Sequence, residues 1–272
     1  MELRKQNICF IGAGNMAKAI IGGLIKKSFP ATQITACAPT ESKLRVLKEE
    51  LGVEVSCENK KAVSHADIIL LCVKPQVLEE VCKQLRGALD HQPLIISIAA
   101  GVELNSISAW LEGNGPIIRC MPNTPSQVLK GASGLFANAH VSEAQRCVAT
   151  ELFSAIGIVE WVDVEEKMHA VTALSGSGPA YIFLVIEAME AAAVKQGLAP
   201  ETARKLAAQT VAGAAEMVLS SALEPAQLKR NVMSPGGTTE RAIQTFESLG
   251  LVAIFEQAMN AAAERSVTLS KQ

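Results

Sequence analysis

A large excess of either charge is missing from this chain: 25 Lys and Arg stand against 27 Asp and Glu in 272 residues, a formal net charge of -2. That balance sets up no general field for a polyanion, so nucleic acid is not an expected partner. Paired cysteines are missing too. Cys9, Cys37, Cys57, Cys72, Cys82, Cys120 and Cys147 are odd in number, contain no C-x-x-C pair and mostly sit in apolar runs. This is reduced, intracellular usage and not a disulfide framework. His65, His91, His140 and His169 lack metal-ligand spacing, so no metal is expected. No long apolar segment follows Arg4 and Lys5, which excludes an evident signal peptide. The longest apolar stretch, 180–194, carries Glu187 and Glu190 and falls short of the about 20 uninterrupted residues of a membrane span. The expectation is a cytoplasmic protein without a membrane partner. Internal repeats and low-complexity tracts are absent as well.

What is present is material for a core. Hydrophobic residues make up 49% and charged residues 19%, too apolar a mixture for disorder. The length suits two domains, expected at 1–163 and 164–272. In the first, short β-branched runs at 8–11, 33–38, 53–55, 68–73, 94–98, 116–121, 133–137 and 158–162 alternate with helical periodicity. Those helices are expected at 16–27, 41–51, 75–89, 104–111 and 142–156. The alternation predicts a parallel sheet with crossover helices. After Val164 the strands stop, and Ala, Glu, Leu and Met dominate. Helices at 179–195 and 200–221 are apolar around most of their circumference, beyond the single stripe a surface helix needs. A partner subunit is expected to cover part of that surface, with a tightly packed monomeric bundle as the alternative. Met168, Met189, Met217 and Met259 read as core filler.

Between the first expected strand and the first helix lies Gly12-x-Gly14-x-x-Ala17. In that context the spacing reads as a dinucleotide-binding turn, which makes the first domain Rossmann-type. Gly12 permits the tight turn, Gly14 lets backbone approach a pyrophosphate, and Ala17 lets helix pack on strand. Ala13, Asn15 and Met16 complete the loop, with phosphates meeting the helix amides. A reader of the ribose 2′-hydroxyl would be an acid at the end of the second strand, yet Ala38, Pro39 and Thr40 stand there. Thr40, Ser42 and Lys43 suit a 2′-phosphate instead, favouring NADP over NAD; a solvated helix face is the competing reading for Lys43. Val73, Lys74 and Pro75 follow the fourth strand at the carboxyl edge and are expected to line the ribose and nicotinamide. Ala99 and Ala100 offer small side chains where a flat ring lies close. Asn123, in Met121-Pro122-Asn123-Thr124-Pro125, is able to bond a carboxamide, and a structural proline turn is the other reading.

These segments, with Ser175-Gly176-Ser177-Gly178-Pro179-Ala180-Tyr181 and Ser234-Pro235-Gly236-Gly237-Thr238-Thr239, occur in order along nearly the whole chain. Together the chain resembles the pyrroline-5-carboxylate reductases. The resemblance implies NAD(P)H-dependent reduction of 1-pyrroline-5-carboxylate to L-proline, with NADPH preferred and NADH possible. It implies a homodimer assembling into a larger homo-oligomer, with the substrate between the nucleotide domain of one subunit and the helical domain of its partner. By the same resemblance Thr172 lies near the ring nitrogen, Asn59 near the adenosine ribose, and the turn from Ser234 to Thr239 holds the carboxylate. Ala222 and Leu223 depart from relatives that carry a polar or acidic residue there.

Chemistry supports this assignment independently. Hydride reduction of a cyclic imine needs a donor held about 3–3.5 Å from the carbon and something that favours positive charge on nitrogen. A neutral hydroxyl suffices to orient the N–H of an already protonated imine, and Thr172 or Ser175 fits that role. Gly236, Gly237, Thr238 and Thr239 read as a turn presenting backbone N–H groups at a helix start, which attracts an anion. Either threonine could instead be only an N-cap. Two other readings stay open. A β-hydroxyacid dehydrogenase would usually carry a helix K-x-x-x-N pair, which is not found here, and a nucleotide sensor would bind NADP without turnover.

Overall fold

A computed structural model describes residues 2–270. The first unit is built on eight strands: β1 (Ile8–Ile11), β2 (Ile34–Cys37), β3 (Glu54–Ser56), β4 (Ile68–Leu71), β5 (Leu94–Ser97), β6 (Ile117–Met121), β7 (Gly131–Ala137) and β8 (Gly157–Trp161). Between them run α1 (Asn15–Lys26), α2 (Glu41–Leu51), α3 (Asn59–Val63), α4 (Pro75–Leu85), α5 (Leu104–Leu111) and α6 (Glu143–Ser154). The strands form one sheet in the order β3-β2-β1-β4-β5-β6-β7-β8. Every residue of β1, β4 and β5 is buried. Strands covered on both faces need apolar residues at every position, which is why they read as unbroken runs. The pleat sorts them: Ile8 and Phe10 enter one core with Ile20, Leu24 and Phe153, while Cys9 and Ile11 enter the other with Leu78 and Ile107.

An all-parallel sheet is not what forms. β7 runs antiparallel to β6, with Ile118 opposite Ala137 and Met121 opposite Gly134. A parallel return requires a crossover of a dozen or more residues, and only a short 3-10 turn, Thr124–Val128, lies between these strands. β8 then pairs parallel to β7 after α6 has crossed over. Helix α4 also stops before the expected residue 89: Arg86 leaves the helix at ψ 139° and donates through Nε to the Trp110 carbonyl.

Beyond β8 the chain is helical: α7 (Lys167–Val171), a π-helical turn (Thr172–Gly176), α8 (Gly178–Lys195), α9 (Pro200–Ser220), α10 (Pro225–Asn231), α11 (Thr238–Ser248) and α12 (Leu251–Ser270). The compact units divide at Ser177 and Gly178, and residues from Ala262 onward return to the first unit. α7 packs on β7, and with the turn after it is grouped with the first unit. In the second unit Arg204 forks onto Glu190, Nε to Oε2 at 3.1 Å and Nη2 to Oε1 at 2.9 Å, tying α9 to α8. Lys229 reaches Glu247 at 2.9 Å, tying α10 to α11. Much of this unit's apolar surface is uncovered: Leu184 is 65% exposed, Leu219 69% and Val252 78%. Met189 and Met217, expected in the core, are also exposed, whereas Met168 is fully buried.

The helical stretch Lys167–Lys195 is, by length and composition alone, long and apolar enough to cross a membrane. Reading only 180–194 concealed this. Glu190 within it is held by Arg204 in an ion pair.

Candidate active site

The order of strands places the topological switch point between β1 and β4, because the chain winds outward from β1 to β2 and β3 and then returns to β4. At such a switch point the loop after β1 stands clear of the sheet at the carboxyl edge. Gly12 makes the turn there at φ 107°, with its N–H on the Cys37 carbonyl at 2.8 Å. A Cβ on Gly12 would lie 2.8 Å from the Cys72 carbonyl carbon and oxygen, so no other residue fits. Gly14 is the N-cap of α1 and offers no side chain to its first amides. A Cβ on Gly14 would meet no atom within 4 Å. Uncapped amides beneath open space are what a pyrophosphate requires. Ala17 is fully buried, as close helix packing demands.

Around this turn the parallel strands deliver the other expected residues to the same edge. Thr40, at the N-cap of α2, makes no side-chain cap bond and is exposed, and no acid ends β2. Asn59 opens α3 beyond β3. Val73 is half-buried, Lys74 exposed at the N-cap of α4, and Pro75 begins that helix. Ala99 and Ala100 follow β5, the first buried and the second half-buried. The donor set therefore fits a dinucleotide with a 2′-phosphate. The contact with Cys37, 3.8 Å between sulfurs, and burial push the Cys9 thiol up, and burial does the same to Cys72 and Cys120.

Asn123 is held within the protein. It is 8% exposed, and both ends of its carboxamide are engaged within the protein. Nδ2 donates to the Ser175 carbonyl at 3.0 Å, and Oδ1 accepts from the Ala132 amide at 2.9 Å. The side chain joins the turn after β6 to the hydroxyl-bearing turn after α7. That second turn, rich in Gly and Ser, is a π-helical turn in which the Ser177 amide donates to the Thr172 carbonyl at 2.8 Å. Thr172 Oγ1 donates to the Met168 carbonyl at 2.8 Å and Ser175 Oγ to the Val171 carbonyl at 3.0 Å. Each hydroxyl has thus placed its hydrogen on the helix and keeps only lone pairs for a ligand. His169 is a helix residue, with Nδ1 2.9 Å from Ser266 Oγ. Desolvation, and then the Arg119 guanidinium, lower its pKa from the ordinary value. Arg119 itself was not singled out by the sequence: it is buried on β6 and paired at 3.1 Å with Glu165, which also accepts from the Leu104 amide. Nothing in the local pattern distinguishes it, since its partner lies 46 residues away.

The second unit carries the remaining expected residues in a turn leading into α11. Gly237, not a threonine, is the N-cap; Thr238 and Thr239 are the first helical residues. A Cβ on Gly237 would lie 2.5 Å from Ser234 Oγ and 2.9 Å from the Ser234 carbonyl oxygen. Two of the amides expected to be free are taken: Gly236 donates to Glu240 Oε2 at 2.7 Å and Gly237 to the Ser234 carbonyl at 2.9 Å. No side chain caps the helix start itself.

Comparison with known proteins accounts for both halves. Residues 165–269 match the family described as pyrroline-5-carboxylate reductase dimerisation, and residues 7–101 match NADP oxidoreductase coenzyme F420-dependent. A pyrroline-5-carboxylate reductase of Pseudomonas aeruginosa is 51% identical over 97% of each chain. This chain belongs to the pyrroline-5-carboxylate reductase family. The solved pyrroline-5-carboxylate reductase of Coxiella burnetii superposes with a TM-score of 0.95 at 44% identity, covering 98% of this chain and 99% of that one. The pyrroline carboxylate reductase of Plasmodium falciparum, solved with NADP bound, gives a TM-score of 0.87 at 29% identity, over 99% of this chain and 100% of that one. Pyrroline-5-carboxylate reductases are thus similar to this chain over nearly its whole length.

Proposed function

We propose that this chain reduces 1-pyrroline-5-carboxylate to L-proline, the final step of proline synthesis, as a cytoplasmic homodimer that assembles further. The observation that carries the chemistry is the hydrogen bond of Thr172: while Oγ1 donates to the Met168 carbonyl, the hydroxyl offers a ligand its lone pairs. An acceptor there selects the protonated, iminium form of the substrate ring, whose N–H it orients. Ser175 is arranged in the same sense. When bound, NADPH supplies a hydride to C5; the C=N π pair returns to nitrogen and leaves a neutral secondary amine. Every other contribution is positional. Gly12, Ala13, Gly14, Asn15 and Met16 hold the pyrophosphate; Thr40 and Asn59 face the adenosine ribose and its phosphate; Val73, Lys74, Pro75, Ala99 and Ala100 border the nicotinamide side.

The carboxylate of the substrate is assigned to Ser234, Gly236, Gly237, Thr238 and Thr239, at the uncapped start of α11. The uncovered faces of α8, α9 and α12 are assigned to a second subunit, in keeping with the dimerisation family that spans them. Seven free thiols suit a reducing compartment. The test is steady-state turnover with pyrroline-5-carboxylate and either NADPH or NADH. Proline equal to the cofactor consumed, with NADPH preferred, is the expected result. No proline from folded protein overturns the function, and preference for NADH overturns the role given to Thr40.

A further inference from the structure

We infer that Asn123 is a positioning residue for imine reduction: its carboxamide replaces a missing helix amide and fixes the π turn that carries Thr172 and Ser175. The inference rests on the reading of Thr172 as an acceptor. In a regular helix the Ser175 carbonyl would receive the amide four residues on, and that residue is Pro179, which has none. A partly buried carbonyl left in this way costs free energy unless another donor reaches it. Asn123 Nδ2 is that donor, at 3.0 Å.

The same side chain is anchored on the sheet, because Oδ1 accepts from Ala132 at the start of β7. Position is thereby transmitted from two rigid strands, through one planar amide, to the turn. The neighbouring contact agrees: a Cβ on Gly176 would lie 2.5 Å from Met121 Cε, so the end of β6 and the π turn are in close approach. π turns have poorer hydrogen-bond geometry than α-helix and persist where surroundings hold them. Here the holding group comes from the carboxyl edge of the sheet, where the cofactor loop also lies. Loss of that bond would let Thr172 Oγ1 drift relative to the hydride donor without removing any ligand contact.

Asn123→Asp separates these roles. The substitution keeps the size and the acceptor facing Ala132, and while ionised it presents no donor to Ser175. For pyrroline-5-carboxylate, kcat is expected to fall roughly ten- to a hundredfold, as for one lost buried hydrogen bond, while the Kd for NADPH stays near wild type. As pH falls the new, buried carboxyl takes up a proton and donates again, so the ratio of variant to wild-type kcat is expected to rise. A loss of packing alone would not recover with acid. Should this variant fail to fold, Asn123→Ser, which is too short to span both partners, is expected to lower kcat with NADPH affinity retained. Wild-type kcat in either folded variant overturns the proposal, as does a loss confined to NADPH affinity or a ratio independent of pH. Thr172→Ala measured alongside keeps the two claims apart. If it slows turnover and the Asn123 variants do not, only the positioning role falls; if it does not slow turnover, the acceptor reading falls.

Discussion

At the scale of single residues, the direction of a hydrogen bond decides more than the identity of the side chain. Thr172 could donate or accept in principle, and the bond to the Met168 carbonyl turns its hydrogen toward the helix. Thr172→Ala is expected to lower kcat by roughly ten- to a hundredfold, the range for a hydrogen bond to a charged group, with NADPH affinity unchanged. Steady-state kinetics with a separate cofactor titration checks it. His169 gives a second, independent prediction. Desolvation and Arg119 hold its pKa below the ordinary 6.5, so the unfolded chain binds the extra proton first. Its contribution to stability is therefore full above about pH 6.5 and declines as pH falls through the folded value. Denaturation midpoints across this range should decline toward acid in the wild type and less so in His169→Gln; parallel profiles would contradict the assignment. The glycines of the phosphate turn were legible because their spacing is local. The pairing of Asn123 with Ser175 was not, because 52 residues separate them and Met-Pro-Asn-Thr-Pro reads equally well as a bare turn.

Elements show the same division between local and distant causes. Strands buried on both faces announce themselves as apolar runs, and all eight were readable to within a residue or two. The reversal of β7 was not, since direction is fixed by the length of a connection and by what crosses it, not by composition. The π turn escaped because Gly and Ser suggest a loop, although Pro179 four residues after Ser175 was the available signal of a disturbed ladder. The turn before α11 was placed correctly and its cap misassigned: Gly237 takes the N-cap, and Glu240 supplies a carboxylate to Gly236. Its geometry yields a prediction. A methyl group on Gly237 would collide with Ser234 backbone and side chain, so Gly237→Ala should distort the turn. The expected outcome is a raised KM for pyrroline-5-carboxylate with the Kd for NADPH unchanged, and loss of NADPH binding instead would show that this turn serves the cofactor.

For the whole molecule, the balance of covered and uncovered surface carries the argument. The first unit buries its apolar strands in two cores, one on each face of the sheet, while the second leaves Phe183, Leu184, Leu206 and Leu219 open to solvent. Contiguous apolar surface of this kind marks an interface. Sedimentation should find a dimer or larger assembly, and Leu184→Glu should shift it toward monomer; a monomeric wild type at micromolar concentration would contradict the assignment of these helices. The sequence pointed to this surface through helices apolar on every side, but which faces stay uncovered emerges only once packing within the chain is known. The central claim is that hydride passes to C5 of an iminium ring oriented by Thr172, and isotope transfer tests it most directly. With NADPH deuterated at the transferable position of the nicotinamide, proline formed from pyrroline-5-carboxylate should carry one deuterium at C5. Deuterium released to solvent, or proline formed without the label, would contradict the account.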